Sequence, residues 1–228
     1  MSTSTSQNLA HRATTPQKLQ TQLDFILLDS SGSMHPTWWE TLEAVEAYVS
    51  GLKAANVNSQ MMLTTFDSTN CELLHRDQPI ADWKSLMDEP VAGYFTTTPL
   101  YDAINLMGRK LRDLDPPRCA ITIVTDGEEM DSQFTNLTQA KGILDWCRAK
   151  GWQVTFIGAE FNNASLAAKL GCPAGAAIGV DRKLLPDAVR NLAQKRARYG
   201  LYGEAMHFTD DERQEFGGFL SDLSGNGK

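Results

Sequence analysis

Two runs of this chain, Leu23-Asp24-Phe25-Ile26-Leu27-Leu28 and Cys119-Ala120-Ile121-Thr122-Ile123-Val124-Thr125, are apolar almost throughout rather than at every second position. A strand with one wet face alternates apolar and polar residues, whereas a strand covered on both faces reads as a continuous apolar run, as central parallel strands do. Parallel neighbours need a crossover of a dozen or more residues, usually a helix. The chain supplies such crossovers. Trp38, Leu42, Val45, Val49 and Leu52 recur at steps of four and three, which predicts a helix from Pro36, well suited to a first helical position, to about Ala55. Leu100, Ala103, Ile104, Met107 and Leu111 repeat the pattern up to the break at Asp115-Pro116-Pro117.

Between these helices, Met61 to Phe66 reads as a second buried strand and Cys71 to His75 as a shorter one. So few residues separate them that they are expected to pair antiparallel. A short helix is expected near Asp82 to Met87. Beyond the second apolar run the pattern predicts helix (Thr135 to Lys150), strand (Gln153 to Gly158), helix (Asn163 to Leu170), strand (Ala176 to Val180) and helix (Pro186 to Arg198). This alternation implies an α/β domain: a parallel sheet with helices on both faces.

The ends read differently. Residues 1–20 are rich in Ser, Thr and Gln with no apolar core of a signal peptide, and are expected to form a disordered leader to a domain spanning 21–200. In the extension 201–228, Thr209-Asp210-Asp211-Glu212 is a capping box, followed by Phe216, Phe219, Leu220 and Leu223 at helical spacing. Gly217 and Gly218 each weaken that helix by about 1 kcal/mol. Its apolar face has two uses open to it, packing on the domain or binding a partner.

Composition removes several classes. No stretch approaches the roughly 18 apolar residues of a membrane helix. Cys71, Cys119, Cys147 and Cys172 have neither zinc-site spacing nor the density of a secreted disulfide scaffold, so a reducing, cytoplasmic setting is expected. A formal charge of −7 argues against a nucleic-acid partner, whose phosphates call for clustered Lys and Arg. Locally, Arg182, Lys183, Arg190, Lys195, Arg196 and Arg198 do crowd the late helix, and they read as its solvated face.

The chemistry lies in three loops. Asp29-Ser30-Ser31-Gly32-Ser33 follows the first apolar run directly, Thr98 lies in the loop Phe95-Thr96-Thr97-Thr98-Pro99, and Asp126-Gly127 ends the second run. In an open α/β sheet, ligands collect outside the carboxyl ends of the strands where the strand order reverses. Hard oxygen donors placed there suit Mg²⁺ or Ca²⁺. Ser31, Ser33 and Thr98 are neutral, so Asp29 and Asp126 at most cancel a divalent charge, and the ion stays electrophilic toward a further carboxylate. Ser33 has a second use, as a cap for the helix near Pro36.

These residues together resemble the von Willebrand factor A domain family and its metal-ion-dependent adhesion site. The resemblance covers Leu23 to about Arg198 and rests on Asp29, Ser31, Ser33, Thr98 and Asp126. It implies a doubly wound, Rossmann-like, mostly parallel six-stranded sheet with one antiparallel edge strand, and a Mg²⁺ (Mn²⁺ or Ca²⁺ in its place) held partly through water by those five residues. The family often has glycines before the threonine, where this chain has Thr96 and Thr97.

With no nucleophile or base beside the cation, the expected function is not enzymatic. It is a metal-dependent protein-interaction module that takes an Asp or Glu from a partner, acting inside a cell as an adaptor, as small members of the family do with MoxR-type ATPases. His35, Trp39 and Glu128 would stand at the rim, and Glu128 and Glu129 have two uses open to them, orienting coordinated water or, more commonly for loop acids, standing in solvent. Asp102 is expected to be a structural hydrogen-bonding acid. Two other classes have weaker claims. An RNA-associated domain would use the late basic helix, and a metal-dependent phosphatase would need an Asp-x-Asp pair where Ser31 stands.

Overall fold

The computed structural model describes residues 21–69, 73–88, 90–93, 96–126, 129–159 and 163–217. In chain order it runs β1 (Gln22–Asp29), α1 (Trp38–Ala54), β2 (Ser59–Phe66), β3 (Leu73–Pro79), α2 (Leu100–Leu114), β4 (Cys119–Val124), α3 (Leu137–Ala149), β5 (Gln153–Ala159), α4 (Asn163–Lys169), β6 (Ala177–Val180), α5 (Leu185–Tyr202) and α6 (Asp210–Glu215). The six strands form one sheet in the order β3-β2-β1-β4-β5-β6. All pairs are parallel except β2 with β3 at the edge. This is the α/β architecture the two apolar runs imply, with those runs side by side as β1 and β4.

The continuous apolar runs have their reason here. Leu23, Phe25 and Leu27 of β1 pack into one cluster with α2, α3 and α4, while Ile26 and Leu28 pack into another with α1 and α5. Both faces are therefore covered. Helices α1 and α5 approach so closely that a Cβ on Gly51 would lie 2.7 Å from Ala193 Cβ. From β1 the chain passes through α1 to β2 on one side, and later through α2 to β4 on the other. The strand order thus reverses at β1 and β4, whose carboxyl ends form the crevice where such folds collect ligands.

At the opposite end of β1, Asp24 is buried beneath α1 and α5. Arg196 donates to it twice, Nε to Oδ1 at 2.7 Å and Nη2 to Oδ2 at 3.0 Å. Tyr48 and Ser59 hydroxyls complete the carboxylate's bonding at 2.7 Å and 2.6 Å. Gly200 leaves the guanidinium its space, since a Cβ there would meet Arg196 Nη1 at 2.9 Å. This corrects the reading of the late basic residues as one solvated face. Arg196 is fully buried, Lys195 is paired with Glu212, Arg182 with Glu40 and Arg190 with Asp187, so the face that an RNA would need is reduced to Lys183 and Arg198.

Other boundaries also shift. A 3₁₀ turn, Gly32–Thr37, contains Pro36 and precedes α1. Strand β3 runs on through His75, Arg76, Asp77 and Gln78 to Pro79, because an edge strand tolerates polar residues that hide it from an apolarity pattern. Cys71 and Glu72, which the sequence places in this strand, lie outside the described residues. The helix expected near Asp82 to Met87 is a 3₁₀ turn at Ile80–Asp82, followed by a loop fastened by Glu46, which accepts from Trp83 Nε1 and the Leu86 amide. Helix α6 carries the capping box between Thr209 and Glu212, and Phe216 behind it is buried against the α1 and α5 cluster. Phe219, Leu220 and Leu223 lie outside the described residues. So do residues 1–20.

Candidate metal centre

Strand β1 delivers Asp29 to the crevice and buries it completely. Its Oδ1 accepts from the Ser31 amide at 2.8 Å, and its Oδ2 from the Thr125 hydroxyl, at the end of β4, at 2.6 Å. Each oxygen keeps a further lone pair. Burial pushes the carboxyl up to about 6, the bonds from Thr125 and Ser31 pull it back in part, and the charge of Asp126 adds to the rise. The adjoining Ser30 hydroxyl ties this loop to the end of β2, donating to Phe66 O at 3.1 Å and to Asp67 Oδ2 at 2.9 Å. Asp67 is itself buried and holds its own loop by accepting from the Thr69 amide.

A chain of hydroxyls leads from that carboxylate to the second one. The Ser31 and Ser33 hydroxyls are 3.2 Å apart, and Ser33 donates to Asp126 Oδ1 at 2.7 Å. Ser33 therefore faces Asp126 and caps no helix. The loop that carries Thr98 is tied to the serine loop through the backbone: Thr96 forms a parallel bridge with Ser31, and the Gly32 amide donates to Thr96 O at 2.7 Å. Thr98 follows two residues on and is buried. The threonines that stand where the family often has glycine pin this loop. Thr96 Oγ1 accepts from the Ser68 amide at 3.0 Å, and Thr97 Oγ1 donates to Asp131 Oδ2 at 2.7 Å.

The loop after Asp126 is locked to the start of α2, whose own preceding residue, Pro99, offers no side-chain cap. Glu129 Oε2 accepts from the Tyr101 amide at 2.9 Å, and Ser132 Oγ from the Asp102 amide at 3.1 Å. Asp102 returns the favour to the amides of Gln133, at 2.7 Å, and Phe134, at 3.1 Å. Asp102 thus has the structural role expected of it. Glu129 is not merely solvated: its Oε1 also accepts from the Asp131 and Ser132 amides, so it is a staple of the loop.

Of the rim residues, His35 and Trp39 are exposed beside the first loop, with Trp39 Nε1 donating to Glu43 at 3.1 Å. Glu128 lies outside the described residues. Sequence reasoning missed Asp67, Glu129 and Ser132 as loop fasteners. Their only signal was a density of acids and hydroxyls just after strands β2 and β4.

Among the described residues no three His, Cys, Asp or Glu side chains come together. A cation here would rest on hydroxyls as much as on carboxylates, and two carboxylates with three hydroxyls are hard donors that fit Mg²⁺, Mn²⁺ or Ca²⁺ and suit zinc or copper poorly.

No protein-family model and no curated protein sequence matches the chain. Solved structures do. The pilus adhesin SpaC from Lactobacillus rhamnosus GG superposes with a TM-score of 0.62 at 10% identity, over 81% of this chain and 31% of the adhesin. A von Willebrand factor type A protein from Catenulispora acidiphila gives 0.58 at 16% identity, over 78% and 43%. Manganese-loaded TRAP protein from Plasmodium vivax gives 0.51 at 18% identity, over 74% and 71%. The chain spans under half the length of the first two. Its fold is that of a von Willebrand factor type A domain, an α/β, Rossmann-like sheet with one antiparallel edge.

Proposed function

We propose that this chain is a metal-dependent protein-binding module, not an enzyme. A divalent cation, Mg²⁺ with Mn²⁺ or Ca²⁺ as substitutes, is held by Asp29, Ser31, Ser33, Thr98 and Asp126. A partner's Asp or Glu completes its coordination. The observation that carries this reading is the hydrogen-bonded line from Asp29 through Ser31 and Ser33 to Asp126, which gathers two carboxylates and two hydroxyls from the ends of adjacent central strands. Thr98, two residues beyond the bridge between Thr96 and Ser31, is the fifth donor of this reading.

The bound cation would supply a Lewis-acidic point for a carboxylate, and the neutral hydroxyls leave its charge largely unspent. The protein's part is to fix the donors beforehand. Thr125 and the Ser31 amide orient Asp29, while Ser30 and Asp67 fasten the loop that carries the serines. Manganese in the TRAP structure and the adhesin among the similar structures lend support from the fold. We place the module inside a cell, as an adaptor in a multiprotein assembly with a MoxR-type ATPase as a candidate partner. The buried free thiols of Cys119, Cys147 and Cys172 agree with a reducing compartment.

Calorimetric titration with Mg²⁺ tests the reading. The native chain is expected to bind one ion and the Asp29→Ala variant none. Equal binding by both would overturn the assignment.

A further inference from the structure

Six large apolar side chains are left exposed among the described residues: Trp39, Leu74, Met130, Phe134, Leu201 and Tyr202. Met130 and Phe134 are 66% and 83% exposed, and both belong to the loop that follows Asp126. This loop is not loose. Five consecutive amides, from Met130 to Phe134, all donate: to Thr98 O, to Glu129 twice, and to Asp102 twice. Two apolar side chains are therefore presented to water by a backbone that is already fixed, and the Met130 amide bonds directly to the carbonyl of Thr98, a proposed donor to the cation.

A rigid display of this kind has a thermodynamic meaning. A side chain ordered in advance contributes the burial of its apolar surface on binding without a matching loss of loop entropy. Exposed apolar residues scattered singly need no explanation; these two share one pinned loop whose first amide bonds to Thr98 O.

We propose that Met130 and Phe134 form an apolar anchor next to the metal and set the specificity of the site. The partner they fit is a protein segment in which an Asp or Glu has a large apolar residue within two positions of it. The carboxylate goes to the cation and the apolar side chain to Phe134 and Met130. The choice of occupant follows from continuity with the cation, which attracts carboxylate, and from the apolar character of the adjoining loop. The inference rests on the proposed metal-dependent reading.

The test is selection of a displayed random heptapeptide library on the immobilised full chain in Mg²⁺, with the native protein, the Met130→Ser/Phe134→Ser variant and an EDTA control run in parallel. Native protein is expected to enrich peptides with an acid and a neighbouring Phe, Leu, Met or Trp. The variant keeps the acid and loses the apolar preference, and EDTA removes all enrichment. Titration of one selected peptide is expected to weaken about tenfold on Phe134→Ser alone, as the loss of one buried aromatic contact implies. Acid enrichment that EDTA abolishes, without an apolar neighbour or unchanged in the variant, overturns the anchor and leaves the metal reading standing. Enrichment indifferent to EDTA overturns both.

Discussion

Asp24 and Asp29 lie on the same strand, and both are buried, yet their surroundings are opposite in charge. Asp24 has a cation built into the chain: Arg196 grips both its oxygens, with Tyr48 and Ser59 filling the remaining positions. Asp29 is held by a backbone amide and a hydroxyl, both neutral, and the charge nearest in effect is another carboxylate, Asp126. The first arrangement is complete in itself and fastens α5 to the sheet. The second has only neutral donors, and those bonds leave its charge uncompensated. One strand thus sets a buried acid that serves the fold beside one that, on the proposed function, is kept for a ligand.

The largest effect should come from breaking the complete pair. Arg196→Met leaves Asp24 buried without its partner, and removing one member of a buried pair costs about 3–5 kcal/mol. Urea unfolding should show that loss. Replacing both, Arg196→Met with Asp24→Leu, should recover most of it, because a buried pair contributes little over a well-packed apolar one. A loss under about 1 kcal/mol in the single variant would mean that the pair does not hold α5.

The same kind of substitution at the other aspartate should act in the opposite direction. Asp29 is raised from 3.8 to about 6, so the native state holds its proton more tightly than the unfolded chain does. Asp29 therefore contributes a loss of stability to the metal-free protein as pH rises from about 4 to 6, where this group binds more protons in the native state than in the unfolded one. Asp29→Asn removes that slope. It should stabilise the metal-free protein at pH 7 by about 1–3 kcal/mol, as the relief of a buried charge implies. A destabilisation like that of Arg196→Met would erase the contrast between the two sites.

The smallest effect belongs to the tail. Burial raises Glu212, but Lys195, the Thr209 amide and Asn191 together outweigh it and hold the carboxyl at about 2. Its contribution is present above the usual carboxylate range near 4.5 and is lost as pH falls toward 2. Glu212→Gln should flatten that acid limb of the stability curve while leaving neutral-pH Mg²⁺ binding unchanged. An altered Mg²⁺ affinity would tie α6 to the metal site.

The candidate centre was more legible in the sequence than the complete pair, for a physical reason. Asp29, Ser31, Ser33 and Asp126 stand directly after strands, and strand ends are set by local apolar runs, so the fold carries them to one place with little freedom. Asp24 and Arg196 are 172 positions apart. Its residue type does not mark an arginine on a charged helix as buried, and only its place on the stripe Leu185, Val189, Leu192, Arg196, Tyr199 points to the core. Strand β3 was misjudged for a related cause: its pairing with β2 is fixed by backbone hydrogen bonds, which polar side chains do not reveal. Glu129, accepting from the Tyr101 amide, and Asp102, accepting from the Gln133 amide, likewise join the loop after β4 to the start of α2 across 28 and 31 positions of sequence.

Thermal unfolding of the native chain, Asp24→Asn and Asp29→Asn, each with and without Mg²⁺, tests most directly the claim that Asp29 is kept for a cation. At an Mg²⁺ concentration about 100 times its dissociation constant, mass action adds about 2.7 kcal/mol, a rise of roughly 5–10 °C for a domain of this size. The native chain and Asp24→Asn are expected to show that rise, the latter from a lower starting point, and Asp29→Asn to show none. A rise of the same size in Asp29→Asn, or no rise in the native chain, would contradict the account.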